Sequence, residues 1–347
     1  MDSRERVIRA VEMRKPDRVP ILHEYLPAAM FRHGQRLVDL LARYPNDFGS
    51  SQHSIPTVND ISAPYRAGRN YDQWGTLWRS TANGIHGQVV DYPIHNWKDA
   101  EEYEFPPLPD DAHISRRKKE VREAKKSIFV RAGFNPGNYF ERLQWLMGFK
   151  TVLTNLVRRP PEFLEFADRL LEYCLDSISR TLETEPDCVG FADDWGSQDR
   201  LLIRPELWRE FFKPRYRRMF DVVHDGGAFV HFHSDGYIMD ILDDLSEIGV
   251  NILNPQFSCH NLEELAAGTR GKFCINSDVD RQVVLPHYPP DRVKAHIEYL
   301  IDLFGRGNNG GLIGRGELNM DVPLENIEAM FDGWIEFGTY RWDEPES

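Results

Sequence analysis

The chain has few cysteines and no pattern among them. Cys174, Cys188, Cys259 and Cys274 are scattered through 347 residues without CxxC or CxC spacing. That excludes a zinc ribbon or dithiol redox motif and suits a reducing cytosol. Positive charge is outnumbered: the net charge of −13 argues against a nucleic-acid binder, which needs clustered Lys and Arg. The one basic run, "RRKKEVREAKK" (116–126), alternates with Glu and reads as a solvated helix face. No apolar run is long enough to span a bilayer, and the N-terminus "MDSRERVIRAVEMRKPDR" has no apolar signal core. No GxGxxG follows a candidate strand; "GRGNNGG" (305–311) precedes one and reads as a turn, so no dinucleotide site is expected. These absences predict a soluble, cytoplasmic protein with neither nucleic acid nor membrane as partner.

What is present is a rhythm. Short apolar runs alternate with helical patterns: "VPILHE" (19–24), "DFGSSQH" (47–53), "SIFVRAGF" (127–134), "CVGFAD" (188–193), "AFVHFH" (228–233), "NILN" (251–254), "KFCINS" (272–277) and "GGLIG" (310–314). Between them, Phe163, Ala167, Leu170, Cys174 and Ile178 recur at helical spacing. Pro161, Pro205, Pro290 and Pro323 lie at or near first-turn positions, where a missing N–H costs nothing. Eight strand–helix repeats predict an α/β (β/α)8 TIM barrel, with an open doubly wound sheet as the alternative. Residues 54–126 break the rhythm. They are expected to form a long insertion after the second strand, a lid or wall over one barrel end, within a single domain spanning 1–347.

The strand ends are unusually polar. They carry His23 and Glu24, Gln52 and His53, Asn135, Asp193-Asp194-Trp195, His233 and Asp235, Asn254 and Gln256, Asn276 and Asp278, and Glu317. In a parallel barrel these ends converge on one mouth, where active sites are built. "HFHSDG" (231–236) puts His231, His233 and Asp235 on one side of a strand. His233 and Asp235, with a third ligand from Glu317, make a plausible site for a divalent ion such as zinc. His231, deeper in the strand, is expected to orient a ligand. Of the consecutive pair Asp193 and Asp194, only one can face the mouth, and Asp194 is the expected one. Asp194, His23 and Glu24 are the candidate catalytic residues, and Trp195, Gln198, Asn254, Asn276 and Asp278 the candidate substrate contacts.

Several blocks carry a family resemblance from about Arg4 to Phe337. "RERVIRAVEMRKPDRVPI", "FADDWGSQDRLLIRPELWREFFKP", "HFHSDGYIMDILDDLSEIGVNILNPQ", "INSDVDRQVVL" and "DVPLENIEAM" resemble motifs of the uroporphyrinogen decarboxylase superfamily. The resemblance implies a (β/α)8 barrel with its site at the C-terminal mouth, and two chemistries. True decarboxylases bind an acidic tetrapyrrole through an N-terminal R-Q-A-G-R-Y-type stretch. Here the corresponding place reads "ILHEYLPAAMF", with no arginine before Arg32. The other branch, zinc methyltransferases working with corrinoid proteins, has His-x-Cys after the fifth strand and Cys after the eighth. His233 matches the His, Asp235 replaces the first Cys, and Glu317 falls near the second. Such a harder ligand set leaves the ion a stronger Lewis acid toward an oxygen carrying a methyl group. The expected reaction therefore moves a methyl group from a small methoxy-type substrate to cob(I)alamin on a separate corrinoid protein, giving methylcobalamin. The chain has no D-x-H-x-x-G of its own to carry the corrinoid. The alternatives are a metal-free decarboxylase of a tetrapyrrole or other small carboxylic acid, and a non-catalytic ligand-binding barrel.

Overall fold

The computed structural model describes residues 1–342. Six parallel strands form one sheet in chain order: β4 (Arg131–Gly133), β5 (Cys188–Ala192), β6 (Phe229–Ser234), β7 (Ile252–Pro255), β8 (Cys274–Asn276) and β9 (Leu312–Ile313), following β1–β3 described below. Two irregular segments complete the ring. Ile21 and Tyr25 bridge in parallel to Gly314 and Leu318, and Leu22 donates to the Gly314 carbonyl at 3.0 Å. On the other side, Asp47 N–H donates to Ile21 O at 2.9 Å, and Phe129 N–H donates to Asp47 O at 3.3 Å. The architecture is the expected α/β barrel of the TIM type.

The second stave is not the strand expected over 47–53. Only Asp47 joins the ring, and its side chain substitutes for a ladder. The buried carboxylate accepts from Ile21 N–H at 2.8 Å and from Arg6 Nη1 and Arg18 Nη1, each at 2.8 Å. Arg6 comes from the first helix, Ser3–Val11, so this ion-paired knot closes the N-terminal end.

The helices pack outside the strands as their periodicity dictates. In the helix Pro161–Leu182, Phe163, Ala167, Leu170, Cys174 and Ile178 are all buried, and a proline opens the first turn. The insertion is more ordered than its composition implied. It holds an antiparallel meander, β1 (Gly68–Tyr71), β2 (Leu77–Ser80) and β3 (Gln88–Asp91), then helices Trp97–Glu102 and Asp111–Ala124. Its aromatics fasten it to the barrel: Trp74 Nε1 donates to Asn135 Oδ1 at 3.0 Å, and Thr76 Oγ1 to the Trp145 carbonyl at 3.0 Å. The helix Asp111–Ala124 carries the basic run, whose Lys118 and Arg122 pair with Glu185. No helix among the described residues is long and apolar enough to cross a membrane.

Candidate active site

Two glycines bring the ends of β5 and β6 together. A Cβ on Gly236 would lie 2.1 Å from the carbonyl carbon and oxygen of Gly196, and one on Gly196 would lie 2.2 Å from Tyr237 N. Gly236 also sits at φ +77°, where other residues are strained. This backbone contact lets Asp235 N–H donate to Asp194 Oδ1 at 2.9 Å. Gly236→Ala is therefore expected to spread the two loops. It should cost several-fold or more in any metal affinity of the neighbouring carboxylates and lower the melting temperature, by isothermal and scanning calorimetry.

The paired aspartates divide their roles as strand geometry requires. Asp193 is buried and accepts from Tyr139 N–H (2.7 Å), Phe140 N–H (3.0 Å), Glu141 N–H (2.8 Å) and Tyr216 Oη (2.5 Å). It thereby satisfies the free donors at the start of the helix Phe140–Met147. Asp194 faces the other way, toward His233.

Asp194, His233 and Asp235 offer ligand atoms that all lie within 4.8 Å of one another. His233 Nδ1 meets two acceptors, Asn254 Oδ1 at 2.8 Å and Asn254 O at 3.1 Å. The Asn254 amide is oriented by its Nδ2 donating to Asn276 O at 2.7 Å. Nδ1 therefore carries the proton, and in the neutral ring Nε2 presents a lone pair. That lone pair faces Asp235 Oδ1 at 3.4 Å and Asp194 Oδ1 at 3.9 Å. Asp235 Oδ1 is buried with no hydrogen-bond partner. Burial pushes the Asp194 carboxyl upward, His233 pulls it back, and Asp235 pushes it up again. Three electron-pair donors thus converge, with Arg281 pairing only the second oxygen of Asp235, an arrangement that fits a divalent cation and its N/O ligands. None of the four cysteines belongs to the cluster, so a thiolate-rich zinc site does not fit. His233 also borders a cavity of about 530 Å³ at the barrel mouth, shared with Glu24, Arg131, His231, Asn254 and Arg315.

Glu317, the expected third ligand, stands outside the cluster. Its carboxylate is held by Arg281 Nη1 at 3.1 Å and Arg315 Nη2 at 3.3 Å. Arg281 also grips Asp235 Oδ2 at 2.5 Å, so Glu317 reaches the cluster only through a guanidinium. Arg315 is buried and donates to Glu24 (2.9 Å) and Asp278 (3.2 Å) as well. Burial would raise the Glu24 carboxyl, but Arg315 and Arg131 outweigh it and hold it well below the ordinary range.

The other expected site residues divide between the mouth and the core. Trp195 is a core residue: fully buried, it stacks on Phe140 with centroids 4.2 Å apart. Strand alternation sets it on the side of buried Asp193, opposite Asp194. Asn254 and Asn276 are buried supports; Asn276 Nδ2 bonds His231 Nε2 at 3.1 Å. Asp278 is buried against Arg315, and Gln198 is exposed near the Cys259 thiol. Sequence reasoning missed the arginines Arg131, Arg281 and Arg315. Their signal was faint: an arginine inside or just after a strand, in "FVRAGF", "SDVDRQ" and "LIGRGE".

His23 is buried beside His53, with Nδ1 to Nε2 at 3.0 Å, and Tyr25 Oη completes the row at 3.1 Å from His53 Nδ1. Burial, and then His53, lower the His23 pKa to about 4. The unfolded chain therefore binds this proton first. Its contribution to stability is complete above pH ~6.5 and falls away as pH drops toward about 4, by roughly 3 kcal/mol. Urea unfolding at pH 7 and pH 4.5 should show wild type losing more stability than His23→Phe.

Fold and site define a TIM-type barrel whose C-terminal mouth gathers carboxylates, histidines and buried arginines. The chain belongs to the uroporphyrinogen decarboxylase (URO-D) family, which it matches over residues 88–336. A comparison with curated protein sequences finds no match. Among solved structures, a methyltransferase from Methanosarcina mazei is similar over 97% of this chain and 99% of its own, at 16% identity and TM-score 0.70. A D-psicose 3-epimerase from Clostridium cellulolyticum H10 aligns with 66% of this chain and 83% of its own, at 12% identity and TM-score 0.40. A 3-keto-D-glucoside 4-epimerase from E. coli aligns with 72% and 97%, at 12% identity and TM-score 0.39.

Proposed function

We propose that the protein is a metal-dependent methyltransferase. It would move a methyl group from a small methoxy-type substrate to the cobalt of a separate corrinoid protein. The observation that carries this reading is the convergence of His233 Nε2 with the Asp194 and Asp235 carboxylates, Asp235 Oδ1 being buried and unpartnered. Asp194, His233 and Asp235 would hold the ion, zinc by its tolerance of mixed N/O ligands. When bound, it supplies Lewis acidity to the oxygen that carries the methyl group. The protein's own residues do the rest. Asn254 fixes the His233 ring, and Arg281 restrains the second oxygen of Asp235. The cavity of about 530 Å³ would hold a compact substrate. In the net reaction the methyl–oxygen bond breaks and a cobalt–carbon bond forms with the electron pair of Co(I). The released oxygen takes a proton to become a hydroxyl.

A fold likeness to a methyltransferase over nearly the whole chain is in keeping with this reading. The three mouth arginines favour a second one, a decarboxylase that binds acids without metal. Yet Arg315 and Arg281 are already paired with Glu24, Asp278, Asp235 and Glu317, and Arg131 lies 3.6 Å from Glu24. Little counter-charge is left for a polycarboxylate.

The test combines elemental analysis with methyl transfer to free cob(I)alamin, followed by absorbance across a panel of methoxylated compounds. About one ion per chain is expected. Asp194→Asn should lower metal content, whereas Glu317→Gln should leave it near wild type. A protonated His233 would satisfy the same carboxylates without metal, so metal-free protein from zinc-replete buffer would sink the proposal.

A further inference from the structure

Three arginines are buried in the described structure: Arg6, Arg142 and Arg315. Arg6 and Arg315 donate hydrogen bonds from Nε and from both terminal nitrogens. Arg142 is only 6% exposed, yet its Nε and Nη1 are buried without any hydrogen-bond partner. Buried donors left unmade are costly, more so when charged. Its guanidinium is instead held between two indoles, 4.4 Å from the Trp74 ring centroid and 4.7 Å from that of Trp145. Such stacking fixes the plane of the group and its charge but satisfies no N–H.

The carboxylate beside it does not satisfy the group either. Asp72 Oδ2 lies 3.6 Å from Nη1, beyond hydrogen-bond range. Its oxygens already accept from Trp74 N–H, Thr76 N–H and Trp78 Nε1, which hold the β1–β2 turn. Burial draws the Arg142 pKa down, against the pull of Asp72, to about 10, so the group is still charged at neutral pH. Arg142 borders a cavity of about 450 Å³, with Arg66, Tyr71, Asp72, Trp74 and Asn135 among its walls. Pro136 borders both this cavity and the one at the barrel mouth.

We infer that Arg142 is the anchor of a carboxylate-binding subsite, which holds the acid end of a small organic acid beside the barrel mouth. A planar guanidinium with free N–H groups matches a carboxylate better than a neutral ligand. The extension that such an acid's other end reaches His233 rests on the proposed function; the subsite itself does not.

The test needs no turnover. Titration calorimetry and tryptophan fluorescence should compare 4-methoxybenzoate and benzoate with their neutral amides, on the full chain with its metal content measured in parallel. The acids are expected to bind at least tenfold more tightly than the amides. Arg142→Met should remove that preference without changing metal content, and Arg142→Lys should keep part of it. If Arg142→Met does not fold, Arg142→Lys and the acid–amide ratio of the wild type decide. Equal binding of acid and amide, no acid binding at millimolar concentration, or wild-type acid affinity in either variant would overturn the subsite. Acid selectivity in a protein without metal would support the subsite while refuting the methyl-transfer reading.

Discussion

Replacing His233 and Asp235 together by alanine should strip the protein of its ion and lower methyl transfer by about 10³-fold or more, the scale of losing electrostatic stabilisation at a reacting oxygen. The expectation follows from the geometry. Asp194 alone would remain of three converging donors, and one carboxylate does not hold a divalent ion in competition with water. The fold should survive, because His233 and Asp235 side chains are 22% and 32% exposed and contribute little to the core. Elemental analysis of the purified variant, with far-UV circular dichroism as the control for folding, checks both halves. Full metal content in the double variant would move the site elsewhere in the mouth. His23 and His53 would be the next place to search.

The second large effect concerns stability. Arg315→Met should destabilise the protein by roughly 3–5 kcal/mol, because it breaks a buried network by removing one sign of charge. Arg315 is 2% exposed and Asp278 1%, so neither is rescued by water. Burial already pushes the Asp278 carboxyl upward, against the pull of Arg315 and then Arg281. Without Arg315 it must be protonated or remain an unpaired buried charge. The double variant Arg315→Met/Asp278→Asn should recover a good part of the loss. Denaturant midpoints for the two singles and the double, read as a cycle, give the coupling directly. A single variant within 1 kcal/mol of wild type would mean that Arg281 and Arg131, which already pair with Glu317 and Glu24, take over the arginine's role in another geometry.

How far the sequence could be read depended on how local each signal was. The staves 188–192, 229–234, 252–255 and 274–276 are short, largely buried runs that open on apolar residues, and the period of the chain exposes them. Period-two spacing likewise put His233 and Asp235 on one face. The second stave was illegible because its cohesion lies in the Asp47 side chain and in Arg6 and Arg18, 41 and 29 residues away. The arginines at the mouth were missed for the same reason. Arg315 meets Glu24 across 291 residues; "IGRGEL" shows its neighbour Glu317 as a partner but neither Glu24 nor Asp278. The replacement of Glu317 by Asp194 in the cluster turns on a backbone contact between Gly196 and Gly236, which sequence spacing alone does not disclose. Trp195 was placed at the mouth although strand alternation puts it with Asp193, on the side opposite Asp194.

The consecutive aspartates have a mechanical consequence. Asp193 grips three amides at the start of the helix Phe140–Met147, and the next carboxylate in the chain is Asp194. Arg142 rides on the first turn of that same helix. The Asp194, His233 and Asp235 cluster and the cavity beside Arg142 are therefore joined through one short helix and one pair of consecutive residues. Any shift in affinity that binding at one end produces at the other must, by thermodynamic reciprocity, be matched by the same factor in the reverse direction.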